Sequence, residues 1–98
     1  MDYDIEFTDA ADEDLEGIRE YLSRFYPSTP KQFRDEFNRK MKLLQFNPHM
    51  AYYEYNPIYR KANVKNYLVF FTIDEDARLI TVHHVRSARQ RPFGSETT

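Results

Sequence analysis

The sequence contains no cysteine and no tryptophan among its 98 residues. The absence of cysteine excludes a disulfide framework, a thiol nucleophile and a cysteine-ligated metal site. No apolar run approaches the roughly 20 residues that a membrane-spanning helix needs. The acidic start, MDYDIEFTDAADEDLE, lacks the basic residues and the apolar run of a secretory signal. We therefore expect a soluble, cytoplasmic protein that has no membrane partner.

Aromatic side chains are abundant where these other residue types are missing. Eight phenylalanines and eight tyrosines make up 16% of the chain, so these two residue types should carry the hydrophobic core. A chain of this length forms one small domain around a single core. We expect the domain to span residues 1–90 and a weakly structured tail to span residues 91–98.

The net charge of −2 hides an uneven distribution of charge along the chain. Residues 1–20 contain nine acidic side chains and one basic side chain. From residue 78 onward, a single acidic residue stands against four arginines, which are Arg78, Arg86, Arg89 and Arg91. The overall sign argues against a nucleic-acid binder, whereas three arginines crowded at the end of one predicted strand favour a local positive field. The simpler interpretation is that scattered surface charges keep the domain soluble.

Two runs rich in β-forming residues dominate the second half of the chain. Residues 67–73 read YLVFFTI and residues 79–85 read LITVHHV, and the acidic break between them predicts an antiparallel hairpin. A weaker strand precedes them, and Asn66 is the residue expected to tolerate positive φ in the connecting turn. Period-two alternation near the start of the chain predicts a fourth strand. The expected strands are 3–7, 59–64, 67–74 and 79–86.

Two apolar stripes with helical spacing separate the first strand from the other three. The first helix is expected to be capped by Thr8 or Asp9 and to end at Pro27. The second is expected to have Thr29 as its N-cap and proline at its first helical position, and to end before Pro48. The stripes consist of Ala11, Leu15, Ile18, Leu22 and Phe25 in the first helix and of Phe33, Phe37, Met41 and Leu44 in the second.

The order of the predicted elements and the local sequence motifs together indicate the type of fold. The order β-α-α-β-β-β predicts an α+β domain in which a helical hairpin packs on one face of a small twisted antiparallel sheet. The motifs are the helix opening FTDAADEDLEGIREYL, the FNP break, the strand NYLVFFTIDE and the ending VHHVRSARQ. Over residues 3–90, this combination resembles the RelE/ParE superfamily of bacterial toxins.

The resemblance implies the toxin of a type II toxin–antitoxin module, which a cognate antitoxin protein neutralises. Some members of the superfamily cleave mRNA on the ribosome without a metal or cofactor, and others poison DNA gyrase without enzymatic activity. A third alternative is an inactive homologue that only binds the antitoxin. The resemblance also implies that the first strand pairs with the last strand or with its neighbour, and that no cofactor is required.

The likeness to the RelE-type nucleases suggests which residues would be catalytic or RNA-binding. In those enzymes, cationic side chains on the sheet stabilise the phosphate during attack by the RNA 2′-hydroxyl. Leu68 stands where that pattern has an arginine, and Phe93 stands where it has a tyrosine that can transfer a proton. The match leaves Arg60, Arg86, Arg89 and His84 as catalytic candidates and Lys61, Lys65 and Arg91 as RNA-binding candidates.

The two adjacent histidines are candidates for proton transfer because histidine titrates near neutrality. Adjacent strand residues point to opposite faces, so at most one of His83 and His84 should join a given site. His84 is preferred because it shares strand parity with Arg86, although either ring could simply pack. If the chain is a nuclease, Arg60, Arg86 and Arg89 should converge on one phosphate-facing surface.

Three other groups receive structural interpretations from the sequence. The tyrosines of residues 47–59 are expected to cover the edge of the core, with stacking on exposed bases as the alternative. Asp12, Asp14 and Glu16 fit a solvated helix start, where the helix dipole favours anions, rather than a metal site. Arg78 lies in the turn at the far end of the hairpin and is expected to be inert.

Overall fold

The structure is a computed structural model that describes residues 2–25, 27–53 and 55–88. It confirms the predicted order of elements and the two helices on one face of the sheet. The strands are β1 (Asp4–Phe7), β2 (Arg60–Val64), β3 (Tyr67–Asp74) and β4 (Leu79–Ser87), and the helices are α1 (Asp9–Leu22) and α2 (Thr29–Phe46). A short 3-10 turn, Pro48–Met50, follows α2. The predicted tail lies outside the described residues.

The start of α1 is fixed by a side-chain cap. Thr8 Oγ1 accepts a hydrogen bond from the Ala11 N–H at 3.1 Å, which satisfies one of the open donors of the first turn. The helix ends at Leu22, so Phe25, the last predicted member of the stripe, lies beyond it and is 54% exposed. Pro27 follows closely and has no N–H to continue a helical ladder.

The apolar stripe of α2 packs against the sheet as predicted. Its four members, Phe33, Phe37, Met41 and Leu44, are all buried. Ser28 occupies the N-cap position, so Thr29 is the first helical residue rather than the cap. Within the described residues, neither helix combines the length and the apolar character that a membrane span requires.

The sheet is mixed, which differs from the all-antiparallel sheet expected from the sequence. Its strand order is β1-β4-β3-β2, and β1 pairs in parallel with β4. The family resemblance implied that β1 pairs with the last strand or its neighbour, but it did not imply that the two strands are parallel. The direction follows from the path of the helices. Tyr3 N–H donates to the carbonyl of Gln45 at 2.9 Å, so α2 ends beside the start of β1. The chain therefore enters β2 from the end where β1 begins, and two reversals later β4 runs parallel to β1.

The turn between β2 and β3 differs from the prediction in which residue has positive φ. Lys65 has φ 54°, whereas Asn66 was expected to take this conformation. A non-glycine residue in this region costs about 1–2 kcal/mol. The Asn66 carbonyl instead accepts a hydrogen bond from the Ala88 N–H at 2.8 Å, which ties the turn to the end of β4.

Candidate functional site

One extra residue in β4 decides which side chains share the open face, by which we mean the face of the sheet opposite α1 and α2. Phe71 pairs with Val82, but Phe70 pairs with His84, so His83 is inserted into the ladder. Val82 and Val85 both belong to the core under the helices. The two residues between them therefore both fall on the open face, and the expectation that the adjacent histidines lie on opposite faces is wrong.

His83 is held on the open face by two neighbours. Its Nε2 lies 3.0 Å from the Thr72 hydroxyl, and its ring meets the Tyr59 ring edge-on with centroids 5.2 Å apart. Burial lowers the pKa of His83 below the ordinary value, and the charge of His84 lowers it further. The imidazole of His83 is therefore neutral at neutral pH and can accept a proton.

His84 and Arg86 lie together, as their shared strand parity predicted. His84 Nδ1 lies 3.5 Å from Arg86 Nη2 and also 3.5 Å from Asp14 Oδ2 of α1. Asp14 also accepts a hydrogen bond from the Val85 N–H at 2.9 Å. The sequence suggested only a solvated helix start for Asp14, because its partners are 71 residues away and no local pattern connects them.

Arg60 is not part of this cluster. It pairs with Phe71, whereas Arg86 pairs with Leu68, and three residues of strand separate the two positions by about 10 Å along β3. Arg60 also shares strand parity with the buried Ala62, and its Nη1 donates to the carbonyl of Ala51 at 2.7 Å. The structure thus does not bring Arg60 and Arg86 to one point.

The RNA-binding candidates are spread along β2 and its turn. Lys61 Nζ lies 5.9 Å from the centroid of the Tyr53 ring, and Lys65 is exposed in the β2–β3 turn. Among the tyrosines expected to cover the edge of the core, Tyr53 is buried with its ring 5.2 Å from that of Phe70, whereas Tyr52 and Tyr55 are mostly exposed. Arg89, Arg91 and Phe93 lie outside the described residues.

A second polar cluster lies at the opposite end of β4 and was not predicted. Tyr3 Oη donates to Glu75 Oε1 at 2.7 Å, and His49 Nε2 lies 2.5 Å from Glu75 Oε2. The Tyr3 hydrogen bond is the largest of the effects that hold the pKa of Glu75 below its ordinary value. Arg78 has φ 52° and lies 4.1 Å from the Tyr3 ring centroid, so it packs against this cluster; its expected neutrality for toxin activity stays a prediction.

The open face can therefore bind anions and move a proton, but it offers few metal ligands. Among the described residues, no group of three or more histidine or acidic side chains is placed to hold a metal ion. The neutral His83 and the cationic Arg86 are the groups on this face that suit proton transfer and anion binding.

Comparison with known families identifies the domain. The family described as the ParE toxin of the type II toxin–antitoxin system parDE matches residues 5–92, which is nearly the whole chain. The chain belongs to the ParE toxin family. This result confirms the resemblance to the RelE/ParE superfamily and makes the chain a type II toxin–antitoxin toxin. No curated protein matches the sequence.

Solved structures of low sequence identity share the fold of this ParE-family chain. The chromosomal ParDE system from P. aeruginosa matches with a TM-score of 0.71 at 15% identity, covering 87% of this chain and 95% of that one. The intact E. coli RelBE complex matches with a TM-score of 0.65 at 16% identity, covering 90% and 99%. The RelBE2 complex from Mycobacterium tuberculosis matches with a TM-score of 0.61 at 19% identity, covering 89% and 99%. At these identities the likeness concerns the fold alone.

The His83→Gln variant should have a weaker pH dependence of stability than the wild type. The pKa of His83 is lowered from 6.5 in the folded protein, so the unfolded chain binds this proton more readily. Wild-type stability should therefore fall as the pH drops below about 6.5, and this part of the loss should vanish in the variant. Chemical denaturation at several pH values measures the free energy of unfolding of both proteins. An equal dependence on pH in wild type and variant would contradict a desolvated imidazole at His83.

The Asp14→Ala variant should lose about 1–3 kcal/mol of unfolding free energy, because the buried Val85 N–H loses its acceptor. Glu13→Ala is the matched control, since it removes an exposed carboxylate from the same turn of α1 and should change stability by no more than about 0.5 kcal/mol. Urea denaturation compares the two variants. Equal losses would mean that the Asp14 bond does not anchor α1 to β4.

Proposed function

We propose that this ParE-family toxin arrests growth by binding and poisoning DNA gyrase, not by cleaving mRNA. The observation that carries the proposal is the dispersal of the nuclease candidates. Arg60 donates to the Ala51 carbonyl, away from the cluster of His84 and Arg86. An enzyme that stabilises a phosphate in the transition state needs its cations preorganised around one point.

The centre of the sheet supports the same proposal. Leu68 occupies the position where the nuclease pattern has an arginine, and it pairs with Arg86 on one side and with Asn63 on the other. An aliphatic side chain there offers no donor to a phosphate. A toxin that acts by binding another protein needs no catalytic set, and the net charge of −2 suits a protein target better than a polyanion.

We further propose that an antitoxin neutralises the chain by occupying the groove between α1 and α2. This groove has a volume of about 530 Å³ and an apolar floor that includes Leu15, Phe33 and Phe37. Lys31 and Arg34 line it as well, so an amphipathic segment with acidic side chains fits it. The RelBE structures that share the fold are toxin–antitoxin complexes, which supports such a partner.

Cleavage of mRNA is the second candidate, because the bulge in β4 brings two histidines and an arginine to the open face. In such a reaction His83 would accept the proton of the RNA 2′-hydroxyl, and Arg86 would hold the phosphate. His83 is assigned this role because its lowered pKa favours the neutral ring, which can accept a proton, and because its Nε2 lies 3.0 Å from the Thr72 hydroxyl.

Expression of the chain in a bacterial host should arrest growth and produce gyrase-dependent DNA breaks while ribosome-bound mRNA stays intact. The His83→Gln variant should arrest growth as strongly as the wild type, because glutamine is a polar side chain of similar size and binding to gyrase needs no proton transfer. A nuclease that uses His83 would lose about 10²–10⁴ in rate. Co-expressed antitoxin should restore growth.

Two outcomes would overturn the gyrase proposal. Cleaved mRNA that disappears in His83→Gln would assign the function to the nuclease. Normal growth with a folded protein would identify an inactive homologue that only binds its antitoxin. Circular dichroism of each purified variant checks that the chain is folded.

A further inference from the structure

The outer edge of β2 presents main-chain groups in a fixed pattern. β2 is the last strand of the sheet and pairs only with β3. A two-residue turn joins Val64 to Tyr67, so these two residues form a hydrogen-bonded pair, and the pattern alternates from there. Arg60 therefore directs its N–H and carbonyl toward β3, as Val64 does, while Lys61 and Asn63 direct theirs outward. We call the outward groups of Lys61 and Asn63 the β2 edge.

These outward groups are unused in the part of the chain that the structure describes. No main-chain or side-chain hydrogen bond in residues 2–25, 27–53 and 55–88 involves the N–H or the carbonyl of Lys61 or Asn63. The part of β4 that extends beyond β1 differs, because Thr8 and Asp14 bond to its main chain. The β2 edge is thus a ready template for another strand.

A shallow groove runs beside the β2 edge and supplies apolar contacts. It has a volume of about 240 Å³ and lies between the end of α2, the 3-10 turn and β2. Met50 is 48% exposed and Tyr52 is 73% exposed along its wall. A strand laid against β2 would place alternate side chains over these two residues.

The charges around the groove select the kind of partner. Lys40 and Lys61 line it, and none of the described residues that line it is acidic. Neither lysine takes part in an ion pair among the described residues. Lysines on an edge strand oppose pairing with a second copy of the same edge, since like charges would face one another. The same lysines favour a strand with acidic side chains.

We propose that the β2 edge is a docking site for an extended acidic segment of a partner protein, which joins the sheet as a fifth strand. Main-chain hydrogen bonds to Lys61 and Asn63 hold the segment, and its alternate side chains contact Met50 and Tyr52 on one face and lysine on the other. This surface is separate from the helix groove, and Lys61 stands at the rim of the open face, since it pairs with Phe70. Strand addition uses main-chain groups, so the inference does not rest on the target of the toxin.

The probe is a capped heptapeptide, Glu-Val-Glu-Val-Glu-Val-Glu, titrated into the isotopically labelled chain. The amide signals of Lys61 and Asn63 should shift, and their hydrogen exchange should slow, because these N–H groups become hydrogen-bonded. The matching peptide with lysine in place of glutamate should leave both signals unchanged. Shifts confined to α1 and α2, or no shift at millimolar peptide, would overturn the proposal.

Asn63→Pro and Asn63→Ala form the matched pair of variants. Both remove the side chain, but only proline removes the outward N–H, and an edge strand tolerates proline at such a position. The glutamate peptide should bind Asn63→Pro about two- to tenfold more weakly than Asn63→Ala, which corresponds to one net hydrogen bond. Equal binding would contradict strand addition.

Charge reversal tests the choice of partner without altering the main chain. The double variant Lys40→Glu with Lys61→Glu should lose binding of the glutamate peptide and gain binding of the lysine peptide. Lys42→Glu, on an exposed position of α2 outside the groove, is the control and should bind as the wild type does. If the wild-type Lys61 and Asn63 signals instead move with the concentration of the chain itself, a second copy occupies the edge and the proposal is wrong.

Discussion

The rest of the structure depends on the hydrogen bonds that α1 makes to the free edge of β4 beyond Val82. β1 ends there, so the remaining edge of β4 would otherwise expose its main-chain groups to solvent. Thr8 Oγ1 donates to the His83 carbonyl at 3.2 Å, and Asp14 accepts from the Val85 N–H. Both residues belong to the start of α1, so the bonds that close the edge also fix the helix along β4. The hairpin of α1 and α2 then covers one face of the sheet, while on the opposite face Tyr53 covers Phe70 and the histidines stay partly exposed.

Local patterns predicted the elements well because each element buries an apolar face with its own period. The stripe from Phe33 to Leu44 and the dense run of β-forming residues from Tyr67 to Ile73 are readable in a short window. The bulge at His83 was missed although the sequence carries a signal for it, since Ile80 and Val82 are two residues apart whereas Val82 and Val85 are three apart, and an inserted residue keeps all three on the core face. The parallel sense of β1 and the role of Asp14 depend on contacts between distant parts of the chain, which no local pattern encodes.

The bulge also explains why the candidate site was predicted only in part. His84 and Arg86 share parity within one strand, and the structure brings them together. Arg60 was matched by its position relative to a motif, but the register with β3 places it elsewhere. Residues of one strand can thus be grouped from the sequence, whereas a site that spans strands needs the register. The fold in this way offers a helix groove, an open face and the β2 edge, which borders the open face at Lys61.

Purified components test gyrase poisoning most directly. The chain is incubated with gyrase, ATP and relaxed plasmid, and in parallel with ribosomes that carry a defined mRNA. Gyrase poisoning predicts that cleaved plasmid accumulates in covalent complex with gyrase while the mRNA remains intact. Cleaved mRNA with unbroken plasmid would contradict it and would assign the function to the nuclease.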